Sequence, residues 1–363
     1  MDRIRRRAGD PGIVRDPLFC LHEKWARFQL VNHITSAADI DALAAAIRGG
    51  DRRALARGIT LVESARQEHR RDAQRLLAAL GFDAGNSIRV GISGVPGVGK
   101  STFIEAFGNH VIEQGHRLAV LAVDPSSGLS GGSVLGDKTR METLSRNPGA
   151  FIRPSPAGAT PGGVTRHTRE AILLCEASGM DVIIVETVGV GQTETAVAGM
   201  TDLFLLLLLP AGGDELQGMK RGILELADMV LVNKADGELE PAAGRAAAEY
   251  ANALRLFRPR ISGWTVPVDT CSALTGKGIA GAWSQVERFR DRFTATGEIA
   301  ARRAAQAREW MWSEIRDLLT ESFAESSVVQ ARLAELEDAV VTGAISPTQA
   351  AREVVDQFLR SAK

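Results

Sequence analysis

The chain has 363 residues, 45% of them apolar and 24% charged, which suits a soluble globular protein with one large α/β domain plus helical additions, or two domains. Its 43 basic and 44 acidic residues leave a net charge of −1, so no bulk field draws it to nucleic acid or to a membrane surface. The three cysteines, Cys20, Cys175 and Cys271, are widely spaced with no CxxC pair; they exclude a disulfide framework and read as reduced intracellular thiols.

At the N-terminus, MDRIRRRAGD is basic, but no apolar stretch of signal-peptide length follows it. Asp2, Asp10 and Asp16 argue against a mitochondrial transit peptide, so a solvated tail and a cytoplasmic protein are expected. Leu21, Trp25 and Phe28 fall at helical spacing. A helical pattern starts at Ser36, with Ile40, Leu43, Ala44 and Ile47 on one stripe, and ends at Gly49-Gly50. A second helix is expected from Arg52 to about Leu80, closed by Gly81.

The centre alternates apolar strands with helices. Strands are expected at Ile88–Ser93, Leu118–Val123, Val182–Glu186, Leu203–Leu209, Met229–Asn233 and Thr265–Val268, with helices at Lys100–Glu113, Arg166–Ala177, Leu216–Leu226 and Pro241–Phe257. That alternation predicts an α/β fold with a mainly parallel, doubly wound sheet. The apolar run Leu203–Leu209 is far short of the roughly 20 residues of a membrane span and reads as a strand buried on both faces. From Glu298 onward the apolar residues recur at helical spacing: Met311, Ile315 and Leu318, then Leu333, Leu336 and Val340, then Val354 and Phe358. These helices either pack back on the domain or pair with a second copy, and their free stripes favour pairing. Trp310 and Trp312 face opposite sides of a helix and read as packing. The expected organisation is an N-terminal extension with helices over 1–85, a P-loop GTPase domain over 86–294 and a C-terminal helical dimerisation region over 295–363.

The strongest chemical signal is Gly94-Val-Pro-Gly97-Val98-Gly99-Lys100-Ser101, which fits GxxxxGK[ST] at every fixed position, after a strand and opening a helix. Its glycines let backbone N–H groups of Gly97, Val98, Gly99, Lys100, Ser101 and Thr102 turn towards phosphate oxygens at a helix N-terminus. Lys100 is expected to bridge the β- and γ-phosphates, and the Ser101 hydroxyl to ligate Mg²⁺. Next, Asn233-Lys234-Ala235-Asp236 ends an apolar strand. Guanine offers two neighbouring donors that the Asp236 carboxylate accepts together, whereas adenine would leave that charge unpaired. Lys234 is expected along the base and Asn233 tying the loop to its neighbours. In Thr270-Cys-Ser272-Ala273-Leu274 the Ala273 N–H is expected to face guanine O6, although Ser-Ala-Leu alone is a weak signal.

Three acidic positions complete the set. Glu186 ends a buried strand in ETVGVGQ, where common GTPases carry an Asp, and is expected to hold Mg²⁺. Gln192, three residues after Gly189, is equally a polar loop residue or a water-orienting one. Asp124 ends the second strand, at the ligand side of a parallel sheet, and Asp137 is a further candidate with less positional support. The scattered histidines leave a metal-delivery GTPase without ligands, and NKAD speaks against an ATP-using, transport-linked kinase.

Taken together, GISGVPGVGKSTFIE, VLAVDPSS, FIRPSP, ETVGVGQTE, PAGGDELQGMKRGILELADMVLVNKAD and SALTGKGI resemble the MeaB/ArgK family of GTPases, over about residues 40–323. The resemblance implies a GTP-hydrolysing (GTP to GDP and phosphate), Mg²⁺-dependent homodimer that binds an adenosylcobalamin-dependent acyl-CoA mutase. Such a protein gates cofactor loading and protects the mutase. It also implies that Asp124, Asp137 and Glu186 surround Mg²⁺, and that Gly212–Arg221, with Gln217 and Lys220, is a switch. The stretch 156–163 departs from the family: it lacks the arginine that many members carry, and has Pro161 where leucine is usual.

Overall fold

The computed structural model describes residues 37–64, 66–81, 87–123, 141–154, 161–187, 193–210, 221–257 and 260–361. The chain divides into two compact units, with the boundary between Gly81 and Phe82.

In the first unit, helix α1 (Ala37–Arg48) buries Ile40, Leu43, Ala44 and Ile47, the stripe read from sequence. The expected single helix over Arg52–Leu80 is instead two, α2 (Arg52–Val62) and α3 (Gln67–Leu80). The apolar stripe lapses after Val62, and Ser64 Oγ accepts from the Arg66 N–H and bonds His69 Nδ1 at 2.7 Å, which turns the chain. Asp51 caps α2, accepting from the Arg53 and Ala54 N–H groups at 2.7 and 3.0 Å. Those two hydrogen bonds hold its carboxyl below the usual carboxylate range. The Arg48 guanidinium donates to the Ala79 and Leu80 carbonyls at the end of α3.

The second unit is built on a seven-stranded parallel sheet in the order β3-β2-β4-β1-β5-β6-β7. Its strands are β1 (Ile88–Gly94), β2 (Leu118–Val123), β3 (Ala150–Arg153), β4 (Val182–Thr187), β5 (Leu203–Leu208), β6 (Met229–Val232) and β7 (Val268–Thr270). β2, β4, β5 and β6 are buried at every position, which is why their sequences are continuous apolar runs instead of alternating ones. β3 was not foreseen: it has four residues, too few for a periodic signal. β7 begins three residues later than expected, after Pro267, which has no N–H to donate to a ladder.

The helices of this unit are α4 (Lys100–Glu113), α5 (Glu142–Arg146), α6 (Pro161–Ala177), α7 (Thr193–Ala198), α8 (Arg221–Leu226), α9 (Glu240–Leu254), α10 (Ile279–Ala295), α11 (Glu298–Glu325), α12 (Ser327–Val341) and α13 (Pro347–Ser361). α6 starts five residues before the expected Arg166, with Pro161 at its first turn, where a missing N–H costs nothing. α10 packs on α4 through a perpendicular Trp283–Phe107 contact at 5.9 Å. The C-terminal helices do pack within the chain: α12 and α13 bury Val329, Leu336, Ala350 and Val354, with Phe323 edge-on to Phe358 at 5.3 Å.

Beneath the amino ends of the strands lies a layer of buried charge. Arg89 grips Glu176 with two hydrogen bonds of 2.8 and 2.7 Å. Asp202 accepts from the Arg89 N–H at 2.9 Å and from Arg303 Nε at 2.8 Å. Asp228 accepts from the Phe204 N–H at 3.0 Å and pairs with Arg260 and Arg302. Arg302 and Arg303 come from α11, so this layer bolts the long helix to the sheet. Burial disfavours the charge on Arg303, but Asp202 and Glu176 together outweigh it and hold the guanidinium above its usual range.

Candidate functional site

The carboxyl ends of the strands gather those predicted residues that the structure describes. Ile92 of β1 lies opposite Glu186 of β4, and Ala122 of β2 lies opposite the same residue, so three strands end side by side. β1 lies beside β5, and the chain leaves β1 towards β2 on one side and β5 towards β6 on the other, the switch point where open α/β sheets bind ligands.

The P-loop connects β1 to α4. At Gly94 the chain passes so close to β5 that a Cβ would sit 2.5 Å from the Leu207 carbonyl oxygen. Gly99, at φ 92°, is left-handed, and a Cβ there would meet Asn233 Nδ2 at 2.9 Å. That approach carries weight because Asn233 Nδ2 donates to the Val98 carbonyl at 2.8 Å. The Val98 side chain is fully buried, so only its backbone faces the loop. Lys100 Nζ donates to the Gly94 carbonyl at 2.7 Å, closing the loop over its own start. Burial lowers the Lys100 pKa, and Glu186 and Glu194 oppose that shift. Glu194, buried in the first turn of α7, was not singled out from sequence. Its signal was a second acid eight residues beyond Glu186, meaningful only once the fold returns it towards Lys100. Ser101 and Thr102 sit in the first turn of α4 with their N–H groups at the helix start. At the strand tips, Thr187 Oγ1 donates to Ser93 Oγ at 3.0 Å.

The second loop follows β6. Asn233 is buried, and its Oδ1 accepts from the Ala273 N–H at 3.1 Å and from Cys271 Sγ at 3.6 Å. Burial pushes the Cys271 thiol up to about 12, so it remains a protonated donor. Asn233 therefore ties together the P-loop, its own strand and the loop after β7. The Ala273 N–H, expected to face guanine O6, is held by Asn233 in this structure. Lys234 has φ 61°, the single positive value outside glycine among the described residues, a conformation costing roughly 1–2 kcal/mol. The turn sends its side chain outward, exposed above the loop. Ser272 donates to one Asp236 oxygen, fixing the carboxylate, and its own Oγ accepts from the Thr275 N–H at 3.2 Å. Leu274 is 81% exposed, so only its backbone belongs to this turn.

Asp124, Asp137, Gly189, Gln192, residues 156–160 and most of the expected switch, including Gln217 and Lys220, lie outside the described residues. Among the described residues no group of three or more His, Cys, Asp or Glu forms a metal cluster. The Ser101 hydroxyl and the buried Glu186 carboxylate are hard oxygen donors, the chemistry Mg²⁺ takes when phosphates supply the remaining ligands. No helix among the described residues is long and apolar enough to cross a membrane.

The profile of a family described as "Methylmalonyl Co-A mutase-associated GTPase MeaB" matches residues 55–327. The chain belongs to the MeaB family. It is 46% identical over 282 residues to the GTPase ArgK of Escherichia coli K12, covering 78% of this chain and 84% of that protein. It is 50% identical over 329 residues to the mouse protein named methylmalonic aciduria type A homolog, mitochondrial, covering 88% and 79%. A crystal structure described as a LAO/AO transport system kinase superposes with a TM-score of 0.71 at 36% identity, covering 90% of this chain and all of that one. As a MeaB-family member the chain is a P-loop GTPase that takes guanine nucleotides.

Proposed function

We propose that this GTPase is a nucleotide-driven chaperone of an adenosylcobalamin-dependent acyl-CoA mutase, gating cofactor loading and protecting the mutase. The match of residues 55–327 to a family named for mutase association carries the reading. The relative named for methylmalonic aciduria, half identical over most of the chain, supports it.

At the site, the P-loop N–H groups and Lys100 bind the phosphates, Asn233 holds the two loops in register, and Asp236, fixed by Ser272, reads the guanine edge. Ser101 and Glu186, with Asp124 and Asp137, hold Mg²⁺, which when bound neutralises charge on the phosphates. The stretch Gly212–Arg221 reports nucleotide state to the mutase. The protein works as a homodimer through its distal helices, where Leu333, Val341, Val355 and Leu359 stay exposed after α12 and α13 have packed on one another.

The deciding experiment measures GTP turnover with and without methylmalonyl-CoA mutase and related mutases, together with co-purification. Stimulation or stable binding by one of them is expected. No binding and no stimulation by any would overturn the chaperone reading while leaving the GTPase intact. ATP turnover comparable to GTP turnover would favour the kinase name carried by the solved relative.

A further inference from the structure

One face of α11 is not absorbed by the nucleotide site. Arg308, Trp312 and Arg316 are spaced four residues apart and share that face, with Leu319 continuing it. Arg308 and Arg316 are exposed, Trp312 is 54% exposed and Leu319 59% exposed. Arg169 of α6 joins Arg308, Glu309, Trp312, Ser313 and Arg316 around a shallow recess of about 390 Å³. Three guanidiniums and one indole therefore line the recess, with a single carboxylate, Glu309, whose charge acts on Arg169. Among the described residues neither Arg308 nor Arg316 lies within salt-bridge distance of an acid, although α11 carries Glu309, Asp317 and Glu321 nearby.

We propose that this α6–α11 face is a docking surface for an acidic, leucine- or phenylalanine-bearing segment of a partner protein. Exposed arginine and tryptophan are the residues that dominate protein interfaces, and here three arginines line one recess with Trp312. The recess is open and shallow, unlike the enclosed pockets that bury small ligands. The chain's net charge is −1, so the attraction for acids is a local property of this face. A second copy fits poorly: a two-fold contact through the recess would set the same three arginines against themselves. The segment would bridge two elements that are already coupled. Arg166 of α6 pairs with Glu314 of α11 at 2.8 Å, and Arg169 lies over the Trp310 ring at 5.9 Å.

The identity of that partner as the mutase rests on the proposed function; the surface itself does not. The test uses the full-length protein, wild type and the R308E/R316E double variant, with a labelled glutamate-rich peptide containing leucine and phenylalanine, followed by anisotropy. A lysine-rich peptide of the same pattern, inorganic phosphate and ATP serve as the other arms. The wild type is expected to bind the acidic peptide, the double variant to bind it at least about tenfold more weakly, and intrinsic GTP turnover to stay unchanged. W312A is expected to weaken the peptide without affecting turnover. Equal peptide binding by wild type and double variant overturns the proposal, as does displacement by phosphate alone, which would mark an anion site. A change of oligomeric state in either variant also overturns it, because the face would then be a self-interface. If the mutase binds both proteins equally, the docking surface fails and the chaperone reading stands. If the peptide discriminates but no mutase binds the wild type, the chaperone reading fails and the surface stands.

Discussion

The two ends of one sheet carry charge in opposite ways. At the amino ends, Asp202, Asp228 and Glu176 are gripped by Arg89, Arg260, Arg302 and Arg303, several through two hydrogen bonds each. At the carboxyl ends, Lys100 holds a single backbone carbonyl, and Asp236 has one oxygen engaged by a serine. Similar residue types thus serve attachment at one end and, on the proposed reading, ligand recognition at the other. The difference lies in where the partners come from. Below the sheet, β1, the loop at Arg260 and α11 supply them permanently; above it, glycine-rich loops keep side chains short of saturation, which on the proposed reading leaves them for phosphate and guanine.

If the lower layer is structural, Asp202→Ala strips buried Arg303 of its hydrogen-bonded acid, leaving only Glu176 at 3.7 Å, and costs about 3–5 kcal/mol of stability. Urea unfolding of the nucleotide-free protein measures this, and a loss under about 1 kcal/mol would remove the contrast between the two ends. At the upper end, Lys100→Ala should leave the fold intact and lower GTP turnover by roughly 10²–10³-fold, since one preorganised charge on the phosphates is lost. Full retained turnover would reject the site. Asp236→Asn should cost about 1–3 kcal/mol of GTP affinity and shift preference towards xanthosine nucleotides, read by competition binding. Glu194→Gln removes a charge that keeps Lys100 protonated against its burial. Lys100 then loses its proton at lower pH, so the alkaline fall in GTP affinity moves downward in pH. A profile that does not move, or moves upward, would detach Glu194 from the site. The smallest effect belongs to the exposed Lys277–Glu240 pair, where Glu240→Ala should change stability by less than about 1 kcal/mol.

The upper end was largely legible in sequence because its chemistry is local. GVPGVGKS and NKAD place donors, charges and glycines within single turns, so composition and spacing alone carry the geometry. The parallel sheet was equally plain in runs such as Leu203–Leu209, since a strand covered on both faces has no polar side to alternate with. What escaped was short or distant. β3 is too brief to show a period, and the break between α2 and α3 depends on a serine hydroxyl competing with the helix. The coupling of Glu194 to Lys100 and the use of the Ala273 N–H by Asn233 join separate loops.

The amino acids alone decided that this chain would bind guanine nucleotide on a parallel sheet, because motifs within one turn and apolar runs within one strand need no distant partner. Only the tertiary structure decided which charges hold the protein together. Arg303 and Asp202 stand 101 residues apart, and nothing in the spacing of either foretells that a helix near the end of the chain would bring them face to face.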